Sequence, residues 1–328
     1  MPPQKKLMQR AIDLMEKRGI KAVKKSRQLV SLDDTKYEPL GEAVEYFMNE
    51  LWFDFLHPAL VSLACEAVGG NADNATDVGA ALVLLAGAAD IHDDIIDESK
   101  TKGPGLTVYG KFGQDLAVLS GDVLLFRGLY ALNEGLREVS ISKREAVLES
   151  VKTAFLELCG GEAKETSWRG KFEISKKDYL EILKRKSAAS EAATRLGAII
   201  GGGTEKEVEL LSHYGRTFGI MMTMRNEFID VFEPDELKNR LKKECLPLPV
   251  LIAFQDDSRK TEILHLLKKK LSEENIEKIL DLCMDFQETK LLVEEMKNLV
   301  ENEISLISNV RGNKEELKLM LTATLEDI

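Results

Sequence analysis

The sequence predicts an all-α protein forming a single domain over residues 1–328. Three observations lead there. Apolar residues recur at three- and four-residue spacing along almost the whole chain. No stretch alternates strictly as a half-buried strand does, and no βαβ rhythm occurs. Clusters of Gly, Pro, Asn and Asp cut the pattern into helix-sized lengths. With 328 residues, 44% hydrophobic and only 8 Pro, the chain can bury a sizeable helical core.

The elements follow in order. Residues 1–30 carry nine Lys/Arg against Asp13 and Glu16 and read as a basic, solvated amphipathic helix or arm, with Leu7, Ile12, Met15 and Val23 toward its apolar side. The same charge suits an anionic ligand or, at most, peripheral membrane contact. Helical periodicity then covers 39–68, stops at "GGNADNATD" (69–77), and resumes over 75–98 until "KGPG" (102–105). Further helices are expected over 113–136, 142–165 and 177–200. "GGG" at 201–203 lacks the spacing and the Lys-Ser/Thr of a phosphate loop and reads as a helix stop, after which Thr204 and Glu207 make a capping box for a helix over 205–232. After "EPDE" (233–236) come 246–254, 259–270, 273–284 and 287–309. Residues 255–328 are richer in Lys and Glu and read as smaller peripheral helices. The lone Glu262-x-x-His265 pair reads as surface, because a di-iron bundle needs two such pairs.

Several function classes drop out. A net charge of −11 argues against nucleic-acid binding. No signal-peptide core follows the basic arm, and "VGAALVLLAGAAD" is too short to span a bilayer, so the expectation is a cytoplasmic protein. Cys65, Cys159, Cys245 and Cys283 form no CxxC pair and read as buried free thiols.

The chemistry sits in two acidic clusters. In "VGAALVLLAGAADIHDDIID" the otherwise apolar run ends in Asp93, Asp94 and Asp97. On a helix, Asp93 and Asp97 share a face and Asp94 lies about 100° away. Acids at a helix C-terminus oppose the dipole, so a cationic partner is expected. Asn226, Glu227 and Asp230 repeat the spacing late in a second apolar helix. Two such clusters facing each other across a cavity suit Mg²⁺ bridged by a diphosphate, since Mg²⁺ favours one or two carboxylates plus phosphates and water. Lys100, Lys102 and Lys186 are the candidate balancing cations.

These motifs resemble the trans-isoprenyl diphosphate synthases, the polyprenyl synthetase family. "IHDDIIDESKTKGPGLTVYGKFGQDLAVLSGDVLLFRGL" is similar to the first Asp-rich motif and following helix, "YLEILKRKSAASEAATRLGAIIGG" to the Lys-Thr segment, and "YGRTFGI" leads into the place of the second Asp-rich motif. The likeness runs from about residue 40 to 255. It implies an isoprenoid synthase-type helical bundle around a central cavity, usually dimeric, in which Mg²⁺ assists departure of diphosphate from an allylic substrate before isopentenyl diphosphate attacks. By resemblance, Asp93, Asp94, Asp97 and Lys186 are catalytic. Lys100, Lys102, Lys186, Ser187 and Thr223 contact substrate, and Glu227 and Asp230 join the first cluster as metal ligands. Small Ala88 and Ala89 before the first motif imply a long product, although Asp90 beside them is polar.

The chain also departs from the family. Where a Gly-Lys-x-x-Arg segment binds isopentenyl diphosphate, "FDFLH" places Asp54 and His57, and the family's histidine aligns with Ala86. "TK" replaces an Arg-Arg pair. The second motif reads Met222-Thr223 for Phe-Gln and Asn226-Glu227 for Asp-Asp, beside Arg225, and the later Asp and Gly-Lys align with Arg240, Glu244 and Cys245, with Lys242 and Lys243 nearby. A divergent homodimeric synthase is one reading. A non-catalytic or regulatory subunit in a heteromer with a related synthase is another, and a class I terpene synthase-like enzyme, which needs no isopentenyl diphosphate, is a third.

Overall fold

A computed structural model describes residues 6–30, 36–233, 236–237, 239–240, 245–268 and 272–326. The all-α expectation holds, the exception being a hairpin of two-residue strands. The residues group into two compact units. The first holds 1–151, 192–212 and 310–317; the second holds 152–191, 213–309 and 318–328.

The first unit opens with α1 (Leu7–Gln28), which packs on α3 (Leu56–Ala67) and α4 (Thr76–Ile96). Its buried side is Ala11, Leu14, Gly19, Ala22, Val23 and Ser26. Ile12, expected on that side, is 45% exposed, because the stripe of small residues sets the contact instead. Several of its cations meet acids of the same unit: Arg18 pairs with Glu66 at 2.8 Å and with Glu316, and Lys25 pairs with Asp77.

The periodic segment 39–68 is two helices rather than one. α2 (Glu38–Tyr46) runs into a π turn (Phe47–Leu51), and α3 begins at Leu56. The break has a local cause. The Asp54 carboxylate accepts from the backbone N–H of Leu56 (3.0 Å) and His57 (3.2 Å), two donors that open α3.

α4 is buried nearly all round through Val78, Ala80, Ala81, Val83, Leu84, Leu85, Ala88 and Ile91. It packs along α6 (Gln114–Gly135). The close approach needs glycine: a Cβ on Gly121 would stand 2.3 Å from His92 Nε2, and one on Gly128 would stand 2.8 Å from Leu85 Cγ. α4 ends in a Schellman arrangement, with Ser99 N–H donating to Asp94 O (2.8 Å) and Glu98 N–H to Ile95 O (3.2 Å). Glu98 therefore adopts φ +53°, where glycine is usual. Replacing it by glycine is expected to stabilise the protein by roughly 0.5–1 kcal/mol, read as a higher urea midpoint; a lower midpoint would show that the Glu98 side chain outweighs its backbone strain.

The hairpin β1 (Thr101–Lys102) and β2 (Gly105–Leu106) turns the chain back toward the end of α4, then α5 (Val108–Phe112) starts at Thr107. Thr107 fixes this loop: its hydroxyl donates to Ser99 O (2.7 Å) and accepts from Gly110 N–H (2.9 Å).

α7 (Ile141–Thr166), α9 (Ala188–Ile200) and α10 (Glu205–Asp230) contribute to both units. The glycine stop and capping box stand as expected. Gly202 has φ +79°, Thr204 N–H donates to Glu207 Oε2 (2.8 Å), and Glu207 N–H donates to Thr204 Oγ1 (3.3 Å).

In the second unit the segment 177–200 is divided at Ser187, between α8 (Lys176–Lys186) and α9. Ser187 turns its hydroxyl back on Leu183 O (2.7 Å), a bond that competes with helix continuation. α11 (Leu248–Ala253) is buried at every residue and touches α8, α13 (Glu273–Met284) and α14 (Gln287–Ile307). α12 (Asp257–Leu267) precedes α13, and His265 is exposed on it, consistent with a surface pair. α15 (Glu315–Ala323) closes the order. Cys65, Cys245 and Cys283 are buried and burial pushes their thiols up, to about 11, 12 and 12; Cys159 is exposed, contrary to expectation.

Candidate functional site

In the first unit the last turn of α4 carries the acidic cluster with no basic residue in that turn. Asp93 and Asp97 are partly exposed, and an oxygen of each lies within 4.8 Å of the other. This is the shared face that the four-residue spacing requires.

Asp94 points elsewhere. It is 5% exposed and meets Lys102 Nζ at 3.4 Å, while the same ammonium lies 2.6 Å from Asp90 Oδ1. Asp90 and Asp94, one turn apart, thus clamp a lysine delivered by the hairpin. Burial raises the Asp94 carboxyl to about 6, and Lys102 offsets only part of that. Asp90 is also raised, chiefly by burial. Asp90 Oδ2 and Asp94 Oδ2 are buried without a hydrogen-bond donor, so the cluster holds more negative charge than Lys102 balances. Lys100 takes a different position, with Nζ 5.7 Å from the centre of the Tyr109 ring. His92, inside the motif, lies 3.4 Å from Val118 O and 3.6 Å from Asp122 Oδ1. Nothing in the sequence pattern marked Asp90 or Asp122 as partners.

Asp54 and His57 form a pair. Asp54 Oδ2 lies 2.8 Å from His57 Nδ1, and Asp54 is 8% exposed. Burial acts most strongly on His57 and lowers its pKa, but the Asp54 charge and hydrogen bond together outweigh it and hold the imidazole above 6.5. A raised folded-state value gives stability that is complete below the unfolded value and is lost as pH rises through the folded one. The stability difference between wild type and His57→Gln should therefore be largest below pH 6.5 and shrink above it. Urea unfolding of both proteins at a series of pH values checks this, and a pH-independent difference contradicts it.

The second unit gathers Lys186, Ser187, Thr223, Glu227 and Asp230. Lys186 meets two acids of α7, Glu162 at 3.4 Å and Glu165. Ser187 is 2% exposed with its hydroxyl on Leu183 O, and Thr223 Oγ1 donates to Gly219 O (2.9 Å). Both hydroxyls, expected toward substrate, donate to the carbonyl four residues back in the chain. The close approach of α10 to Ser187 is permitted by Gly219, where a Cβ would meet Ser187 Cβ at 2.8 Å.

Glu227 and Asp230, expected as metal ligands, meet a different cation. Glu227 is 5% exposed and Arg240 is 4% exposed. Arg240 Nη2 lies 3.1 Å from both Glu227 oxygens and 2.8 Å from Tyr179 Oη, Nη1 donates to Asp230 Oδ2, and Nε donates to Cys245 O (2.9 Å). Glu227 Oε2 also accepts from Tyr179 Oη (2.5 Å) and Leu248 N–H (2.9 Å). Burial pushes the Tyr179 hydroxyl well up, so it stays a donor. Asn226 is exposed, and Arg225 Nε donates to Glu326 O (3.2 Å). Lys242, Lys243 and Glu244 lie outside the described residues.

Comparison with known proteins places this geometry. The sequence pattern described as polyprenyl synthetase matches residues 55–283. A short chain isoprenyl diphosphate synthase of Methanothermobacter thermautotrophicus is 30% identical over 230 residues, 70% of this chain and 69% of that protein. Heptaprenyl diphosphate synthase component 2 of Geobacillus stearothermophilus is 28% identical over 70% of this chain and 71% of its own. The crystal structure of geranylgeranyl pyrophosphate synthetase from Pyrococcus horikoshii shares the fold, with TM-score 0.85 over 98% of both chains at 24% identity.

Proposed function

Because this chain belongs to the polyprenyl synthetase family, we propose that it is a Mg²⁺-dependent prenyltransferase that joins an allylic diphosphate to isopentenyl diphosphate. The observation that carries the reading is the pair Asp93 and Asp97, two carboxylates with oxygens within 4.8 Å of each other at the end of α4. The donor set suits a hard divalent ion: two carboxylates on one face, with phosphate and water left to complete the shell. Asp93 and Asp97 would hold it, and when bound it would neutralise charge on the departing diphosphate.

The remaining roles fall to the chain itself. Lys102, clamped between Asp90 and Asp94, locks the final turn of α4 and so orients Asp93 and Asp97. This makes Asp94 a positioning residue in our reading rather than a direct ligand. Lys100, a few residues beyond Asp97 and with its ammonium over the Tyr109 ring, is the candidate cation for a diphosphate oxygen in the first unit. Apolar Leu82 and Ala86, which helical spacing puts on the Asp93–Asp97 face of α4, would exclude water from a carbocation. Among the described residues no helix is long and apolar enough to cross a membrane.

A second reading, a subunit working in a heteromer, is favoured by one specific observation. Asp54, standing where the family carries lysine, caps α3 and binds His57, so this place offers isopentenyl diphosphate no lysine. The relative named as component 2 of a heptaprenyl synthase, and the exposed apolar stripe Leu119, Phe126, Leu129 and Tyr130 on α6, support assembly with a copy or a related chain.

Calorimetric titration of the purified chain with a non-hydrolysable allylic thiolodiphosphate tests the reading. Binding should tighten at least about tenfold when Mg²⁺ replaces EDTA, a difference of about 1.4 kcal/mol. Equal binding in both buffers would remove the metal from the site.

A further inference from the structure

We infer that Arg240 is the resident cation of the second acidic cluster, so that Glu227 and Asp230 hold a guanidinium in place of a divalent metal. The inference goes beyond the proposed prenyl transfer and rests on that reading only for the role of the first cluster.

The Glu227 carboxylate is already engaged at both oxygens. Glu227 Oε2 accepts from Tyr179 Oη, Arg240 Nη2 and Leu248 N–H, and Glu227 Oε1 accepts from Arg240 Nη2. A metal on Glu227 would have to displace the guanidinium, leaving Arg240 buried at 4% exposure with its charge unmatched. It would also place two cations against one carboxylate pair at contact distance. Arg240 is held from several sides, since Nε donates to Cys245 O and Nη1 to Asp230 Oδ2, and the planar fork of guanidinium fits such convergent acceptors where an ammonium would not. The first cluster differs in kind. Its Lys102 engages Asp90 and Asp94 and leaves Asp93 and Asp97 on another face.

The consequence is a chain with one metal-holding cluster and one whose two carboxylates are already paired with a buried guanidinium.

Mn²⁺ binding to the full chain by electron paramagnetic resonance, with and without inorganic diphosphate, tests the inference. Wild type and Asp230→Asn should bind the same number of Mn²⁺ per chain with unchanged affinity in both conditions. Fewer Mn²⁺ on Asp230→Asn in either condition would overturn it. Asp230 is only partly buried and asparagine still accepts from Arg240, so the variant should fold; Glu227→Gln gives the same comparison at the buried position. Asp93→Asn serves as the separate arm. If it keeps all its Mn²⁺, the metal assignment of the first cluster fails, whereas the Arg240 inference is decided by the Asp230 comparison alone.

Discussion

Asp93→Ala should abolish Mg²⁺-dependent turnover of an allylic diphosphate, with a loss of at least about 100-fold, the scale seen when one electrostatic contact to developing charge is removed. The same substitution should leave the fold intact and raise stability by about 0.3–1 kcal/mol, because an acid in the last turn of a helix opposes the dipole. The two readouts move in opposite directions. That combination marks a residue retained for chemistry at a cost in stability. Full activity in Asp93→Ala would show that α4 ends in a solvated acidic cap and nothing more.

Arg240→Leu should be the most destabilising single substitution at the second cluster, by about 3–5 kcal/mol, since it takes from the Glu227 and Asp230 carboxylates the buried guanidinium that pairs with both. The cause is unpaired charge rather than lost volume. Adding Glu227→Gln and Asp230→Asn to Arg240→Leu should therefore recover much of the stability. Urea unfolding of the single and triple variants measures this, and a single-variant cost below about 1 kcal/mol would mean that the cluster is as well solvated as a surface ion pair.

Local features were legible in the sequence. The Asp93/Asp97 face follows from helical spacing, and the stop at 201–203 with its Thr204–Glu207 box depends only on residues close in sequence. The break inside 39–68 was hidden because apolar spacing continues through it, and only Asp54 turning its carboxylate onto Leu56 and His57 reveals a new helix start. Ile12 was misplaced because small residues, which carry little hydrophobic signal, form the contact face of α1.

Partners distant in sequence were not legible. Arg240 could be seen to stand in an unusual place, but its convergence with Tyr179, Glu227, Asp230 and Cys245 depends on how the helices of the second unit pack. Asp90 looked merely out of place in an apolar run until the hairpin brought Lys102 to it. In both cases the sequence shows the charge, and the fold supplies the partner.

The most direct measurement is transfer of label from isopentenyl diphosphate to allylic primers of several lengths, by the chain alone and with a related synthase subunit, in Mg²⁺ and in EDTA. Extended, labelled product that forms in Mg²⁺ and disappears in EDTA is the predicted result, weak for the chain alone if Asp54 and His57 impair that site. No labelled product with any primer, alone or with the partner, would contradict the assignment of prenyl transfer to this chain.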